Sequence, residues 1–279
     1  MIAVALALGA AVAWGAADYL GGLKSRVAAT TVVVVVGQFS GLLLVGAVVA
    51  ARGEGPPEAR YVGYAILAGL AGAVGIGALY RGLAVGSMSI IAPITATGAV
   101  IPVVAGVATG ERPTPVQGAG LALALGGVVL AARQDLGGQT GARVAAGVGL
   151  ALLAALGIGS FLLALDAASE GSVPWALLIQ RTTCVLLVLA LAAFVRPRFR
   201  VGWRNAAPMI AIGALDMSAN ALFALASTRG LVSVVSVLAS LYPVTTVLLA
   251  RALLGERIAR LQQAGVVTAL AGVVLITAG

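Results

Sequence analysis

Long apolar runs, each closed by a short polar break, organise this chain from end to end. A helix of about 20 apolar residues crosses the hydrocarbon core of a bilayer. On that measure the sequence predicts helices over 2–22, 30–50, 62–81, 87–109, 115–132, 144–165, 174–195, 206–227, 231–253 and 260–278. The breaks have turn chemistry, as in Arg52-Gly53-Glu54-Gly55-Pro56-Pro57-Glu58 and Gln134-Asp135-Leu136-Gly137-Gly138-Gln139. Arg196-Pro197-Arg198-Phe199-Arg200 is a third exposed loop. The first run lacks the basic stretch that opens a signal peptide, so it reads as a retained helix. The expected fold class is therefore all-α integral membrane, with ten transmembrane helices and no soluble domain.

The pattern occurs twice. Gly110-Glu111-Arg112 returns as Gly255-Glu256-Arg257, and Gln117, Gly120 and Gly127 return as Gln262, Gly265 and Gly272. Gly127-Val128-Val129-Leu130 is answered by Gly272-Val273-Val274-Leu275. Gln38 pairs in the same way with Gln180, and Gly15 with Gly157. Residues 1–136 and 142–279 are thus expected to be two five-helix repeats joined at Gly137-Gly138. Five is odd, so the second repeat must enter the membrane from the opposite side. Inverted repeats of this kind are a transporter architecture.

Composition narrows the chemistry. Of 279 residues, 61% are hydrophobic and 9% charged, where a soluble chain carries about 25% charged residues. The chain has no histidine and a single cysteine, Cys184, which excludes an internal disulfide and any thiolate or imidazole metal cluster. No metal and no cofactor is expected. The net charge of +8 sits mostly in predicted loops, where it suits anionic lipid headgroups rather than nucleic acid. Expected partners are membrane lipids and a small-molecule substrate, with the chain a monomer or homodimer. With a cytoplasmic N-terminus the inner loops would hold only Arg52, Arg60, Arg112 and Arg229, while Arg196, Arg198, Arg200 and Arg204 lie outside. The positive-inside rule alone favours the reverse orientation.

A charge near mid-bilayer costs about 2.5–3.5 kcal/mol on insertion scales, so each such residue calls for a reason. Asp216 sits mid-way along the eighth predicted helix, with Asn220, Phe223 and Ser227 continuing its face. It is a candidate substrate or proton site, or else half of an ion pair locking helices together. Asp18 lies one turn beyond Trp14, which offers a stacking or cation–π wall. If the first helix ended near Tyr19, Asp18 would instead be interfacial, beside Lys24 and Arg26. Arg181, in the seventh helix, is expected to neutralise Asp216 or Asp18, or to meet an anionic substrate group. Gln38 and Gln180 read as interhelical glue. Ser233, Ser236 and Ser240 lead towards Tyr242-Pro243, and Ser89, Pro93 and Thr97 resemble them in the fourth helix. Proline-broken helices either line sites or merely satisfy their own backbone. Tyr80 and Tyr242 are further cavity candidates or headgroup anchors. Glu111 and Glu256 fit capping and loop pinning better than catalysis. Gly69, Ala73 and Gly77, and likewise Gly118, Ala122 and Gly126, form small-residue stripes expected to face other helices. Trp175 and Trp203 fall at predicted helix ends, as interfacial residues do.

Ten helices in two repeats, each with Gly-Glu-Arg before its fifth helix and Gly-Val-Val-Leu within it, resemble the EamA-like branch of the drug/metabolite transporter superfamily. Trp14-Gly15 matches that family's first-helix pattern, from which Leu156-Gly157 in the second half departs. The resemblance implies a secondary transporter of the inner (plasma) membrane, with cytoplasmic termini, that exports a small metabolite or drug-like molecule. Combined with the inverted repeats, it leads to the expectation of alternating access around Asp216, with Asp18 behind it, and of no enzymatic activity. An uncoupled facilitator or channel of the same fold is the main alternative. A membrane-embedded enzyme on lipid-linked substrates is a weaker one, because no acid or nucleophile accompanies the arginines of 196–204.

Overall fold

The computed structural model describes residues 1–85, 88–131, 141–196, 203–254 and 260–278, and every regular element among them is helical. The helices are α1 (Ile2–Val27), α2 (Thr30–Arg52), α3 (Ala59–Val85), α4 (Met88–Ala96), α5 (Val100–Ala108), α6 (Pro115–Ala131), α7 (Gly141–Ser169), α8 (Val173–Val195), α9 (Trp203–Ser227), α10 (Val232–Ala239), α11 (Tyr242–Leu254) and α12 (Arg260–Ala278). A single 3-10 turn, Thr97–Ala99, joins α4 to α5. Counting α4–α5 and α10–α11 as one broken helix each, the described residues form the ten helical segments expected. Among the described residues, six stretches are long and apolar enough to cross a membrane: Ile2–Val27, Thr30–Arg52, Ala59–Val85, Gly147–Ser169, Val173–Val195 and Ala206–Ser227.

Several helices outrun their expected ends, each for a visible reason. The first was expected to stop near residue 22, at Gly21-Gly22. Instead α1 continues to Val27, because Gly21 serves a close approach rather than a turn. A Cβ on Gly21 would lie 2.7 Å from the Tyr80 hydroxyl oxygen, so the glycine is what lets α3 lay its tyrosine against α1. Asp18 is therefore well inside the helix and 4% exposed, which removes the interfacial alternative for it. Likewise α7 runs past residue 165 to Ser169, whose Oγ donates to the Leu165 carbonyl at 2.6 Å. That bond satisfies the hydroxyl inside the helix and lets a polar stretch extend it.

The two interruptions follow from proline. Pro102 has no N–H to give the carbonyl of Gly98, and its ring crowds that carbonyl. The chain answers with the 3-10 turn Thr97–Ala99. In the same way Pro243 cannot bond Ala239, and α10 stops there. The turn at Gly98 then packs directly on α7. A Cβ on Gly98 would meet the Ala155 carbonyl, and one on Gly159 would meet Gly98 itself.

Packing elsewhere is also carried by glycine, because lipid supplies no hydrophobic drive and contact must come from close backbones. The expected stripe at Gly118, Ala122 and Gly126 is not the buried one. All three are exposed, and nothing lies within 4 Å of a Cβ on Gly118 or Gly126. The packed face of α6 is Gly120, Ala124 and Gly127, which meets Gly265, Ala269 and Gly272 of α12. In lipid an exposed small residue carries no penalty, so stripe spacing alone does not identify the inner face. The first stripe divides too: Gly69 lies 2.5 Å (as a built Cβ) from the Gln180 carbonyl, whereas Gly77 is open. Gly213 on α9 abuts the Gly37 carbonyl and Ser40 Oγ of α2. Trp175 donates its indole N–H to the Glu54 carbonyl at 3.0 Å, tying the start of α8 to the α2–α3 loop.

The Gly-Glu-Arg turn of the first half has a structural task. Gly110 has φ of 106°, which a side chain would resist, and it allows Glu111 N–H to close on the Gly106 carbonyl at 2.9 Å. Gly106 in turn leaves room for the Glu111 carboxylate, which a Cβ there would strike. The carboxylate accepts the N–H groups of Val232 at 2.5 Å and Ser233 at 3.1 Å. It thereby caps α10, whose own N-cap residue, Leu231, has no side chain able to do so. Glu256 and Gln134–Gln139 lie outside the described residues, as do 197–202; the side chains of Ser89, Pro93, Trp203 and Arg204 do too.

Two stability effects are expected. Gly213→Ala should destabilise the purified protein by about 1–3 kcal/mol through overpacking, while Gly46→Ala, at an open position, should not. Glu111→Ala should cost about 0.5–2 kcal/mol by uncapping α10. Thermal unfolding of each variant in one detergent checks both.

Candidate functional site

The polar residues of the spans converge on one cavity of about 60 Å³. Its lining draws on α1, α2, α3, α4, α7, α8, α9, α10 and α11 and on both helix breaks, but not on α6 or α12. Most of the wall is apolar, including Ile76, Leu79, Ile158, Phe161 and Leu162. The polar groups are few and placed: Trp14, Asp18, Gln38, Thr95, Gln180, Arg181, Asp216, Asn220, Ser240 and Tyr242.

Arg181 is the centre of this group and is 1% exposed. Its Nη2 lies 2.7 Å from Asp216 Oδ2, and its Nη1 donates to Gln38 Oε1. Cys184, one turn along α8, also points its sulfur at Gln38 Oε1, at 3.4 Å. One guanidinium thus links α8 to α9 and to α2. The ion-pair alternative for Asp216 is the geometry present. Gln38, expected to be glue between helices, joins α2 to α8 in this way and also lines the cavity. Gln180 lines the cavity as well, and its Nε2 has no hydrogen-bond partner among the described residues; neither has Arg181 Nε.

The opposite wall is organised by Asn220, whose Oδ1 accepts the Trp14 indole N–H at 3.1 Å. The Trp14 ring also leans on Phe223 with centroids 5.9 Å apart. Asp18 completes this wall. No hydrogen bond or ion pair reaches its carboxylate from a described residue, although Asp216, Tyr80 and Tyr242 are its electrostatic neighbours. Tyr242 spans towards α4, with its hydroxyl 3.4 Å from the Ala92 carbonyl. Below it, Thr246 Oγ1 donates to the Gly15 carbonyl at 3.1 Å and closes α11 onto α1.

Of the seven residues singled out from sequence, six line this cavity: Trp14, Asp18, Arg181, Asp216, Asn220 and Tyr242. Tyr80 does not; it is buried against Gly21. Ser233 and Ser236 are fully buried away from the cavity, and only Ser240 of that stripe reaches it. Ser227 continues the Asp216 face on α9 but belongs to a second hollow of about 440 Å³ at one end of the bundle. Glu111, Asp166 and Glu170 line that hollow with it. Asp166 and Glu170 are not among the residues expected from sequence; their spacing of four at the end of α7 brings two acids to one side of the chain. No group of three or more metal-ligating side chains occurs among the described residues.

Arg181→Met should leave Asp216 as an uncompensated buried charge and destabilise the protein by about 3–5 kcal/mol. Adding Asp216→Asn should restore much of that loss. A double-mutant cycle read by thermal unfolding checks the pairing.

Comparison with known proteins agrees with this architecture. None of the curated proteins searched matches the chain. Among solved structures, a crystal structure of a protein aligns over 99% of this chain and 96% of its own, with a TM-score of 0.80 at 16% identity. At that identity the likeness is one of fold. The profile of the EamA-like transporter family matches residues 1–133 and 145–278, nearly the whole length. The chain is a multi-pass membrane protein and belongs to the EamA-like transporter family.

Proposed function

We propose that the chain is a secondary transporter that exports a small metabolite or drug-like molecule across the plasma (inner) membrane by alternating access. The observation that carries this reading is a mostly apolar cavity inside the helical bundle, set with a few buried charged and polar groups and walled by helices from both ends of the sequence. A buried charged network in lipid is costly, and such networks mark transport pathways. At about 60 Å³ the cavity is smaller than the engineered pocket of about 150 Å³ that accommodates benzene, so a metabolite enters only when the walls part.

The proposed machine consists of two inverted repeats, residues 1–136 and 142–279, rocking about the cavity. The pattern of helix contacts supports it. α1 packs on α9 as α3 packs on α7, and α2 packs on α9 as α3 packs on α8. α1 meets α10 and α11 as α7 meets α4 and α5, while α2–α8 and α6–α12 pair each element with its own counterpart. Gly69 against Gln180 and Thr183, and Gly213 against Gly37 and Ser40, are matching contacts in the two halves. Exchanging the halves leaves this pattern in place, as a two-fold axis in the membrane plane requires. The protein works as a monomer or homodimer among membrane lipids, without cofactor or nucleic acid.

The test uses Cys184→Ser protein carrying a single new cysteine at Thr95 or Ala99 on the cavity wall. In sealed vesicles of either orientation, a membrane-impermeant thiol reagent should label it from each side, and a pH change that speeds labelling from one side should slow it from the other. Labelling from one side only would refute alternating access. Labelling rates that rise and fall together on the two sides would favour an open channel.

A further inference from the structure

The charges in the cavity do not balance. Three charged side chains line it, Asp18, Asp216 and Arg181, and the geometry assigns them unequal roles. Arg181 faces Asp216 at 2.7 Å and spends another N–H on Gln38. Asp18, on a different helix, receives neither. Among the described residues, the other titratable groups that interact with it bring no positive charge: Tyr80 from α3, Tyr242 from α11 and Asp216 from α9. With both acids ionised the lining is one negative charge in excess, and an uncompensated buried charge must be neutralised from outside.

We propose, resting on the reading of this cavity as the substrate site, that Asp18 takes up a monovalent organic amine in its protonated form and exchanges it for one proton. Protonated Asp18 gives up its carboxyl proton as the ammonium arrives, and the carboxylate holds the ammonium by a charge-assisted hydrogen bond. One positive charge leaves as one enters, so the cavity stays neutral in both states. Trp14 is placed to serve this ligand. It sits one turn from Asp18, its indole N–H is held by Asn220 Oδ1, and its ring lines the same cavity. An aromatic face beside a carboxylate favours an organic cation over a metal ion. The unpartnered Gln180 Nε2 offers a donor to any acceptor the amine carries. An anionic substrate is disfavoured, because the one cation in the wall among the described residues is already engaged by Asp216 and Gln38.

The test uses purified full-length protein in nanodiscs with three probes of one shape: benzylammonium, benzyl alcohol and benzoate. Benzylammonium should bind at least about tenfold more tightly than either of the others. Titration calorimetry in buffers of differing ionisation enthalpy should show close to one proton released per benzylammonium bound at the acid end of the binding range. Asp18→Asn should abolish that release and weaken binding at least tenfold, and Asp18→Glu should restore both in part. Preference for benzoate, equal binding of all three, or cation binding without proton release would overturn the assignment. The last outcome is read on the unmutated protein, so it stands even if Asp18→Asn fails to fold. Two-sided labelling of a cavity cysteine with opposed changes in rate, together with any of these results, would leave the transport reading standing and remove only the amine.

Discussion

A guanidinium buried among lipid-facing helices constrains everything around it. Arg181 has no water to turn to, so its charge must be met by the protein, and it is met from two other helices at once, by Asp216 on α9 and Gln38 on α2. Removing charges from water costs several kcal/mol per ion even after relaxation, and only close pairing offsets that. The pair therefore fixes where α8, α9 and α2 stand relative to one another. It also determines what is left over. With Arg181 committed, Asp18 is the carboxylate in the cavity with no cationic partner among the described residues, and on the proposed reading selectivity follows from it rather than from Asp216.

The surrounding frame is made of contacts that hold helices close without interlocking them. Gly120 and Gly127 of α6 against Gly272 and Gly265 of α12, or Gly75 of α3 against Gly157 of α7, bring backbones together with little side-chain interdigitation. Such surfaces permit sliding, which bulky interleaved side chains resist. The two broken helices add a second kind of freedom, because a 3-10 turn at Thr97–Ala99 and a gap at Ser240–Leu241 interrupt the hydrogen-bond ladder beside the cavity. Glu111 limits that freedom at one end, reaching from the turn after α5 to pin the start of α10. On the proposed reading, the frame moves as two bodies and the network at Arg181 is their common pivot.

Much of this was legible in the sequence, for reasons of physics. Apolar run length gives the spans because the bilayer sets their length, and expensive mid-span charges give Asp18, Arg181 and Asp216 because they must converge. Less was legible wherever partnership decides a role. Gln38 and Gln180 are repeated between halves and so looked like scaffold. Yet the copies differ in use: Gln38 binds Arg181, while Gln180 Nε2 is left without a partner. Gly21 looked like a helix end, but its purpose is to admit Tyr80, which only the neighbour reveals. The stripe at Gly118, Ala122 and Gly126 misled for a related reason, since lipid tolerates small residues on either face. Asp166 and Glu170 give no signal in the sequence because the apolar run ends just before them.

The most direct test of the central claim, that the halves turn about the Arg181 network, is a pair of distances measured by double electron–electron resonance in lipid nanodiscs. Spin labels at Glu58 and Thr228 report one end of the bundle, and labels at Val27 and Arg196 report the other; all four sites are exposed. The account predicts two populations at each end, shifting in opposite senses with pH, so that one end widens as the other narrows. A single fixed distance at both ends, or both ends widening together, would contradict it.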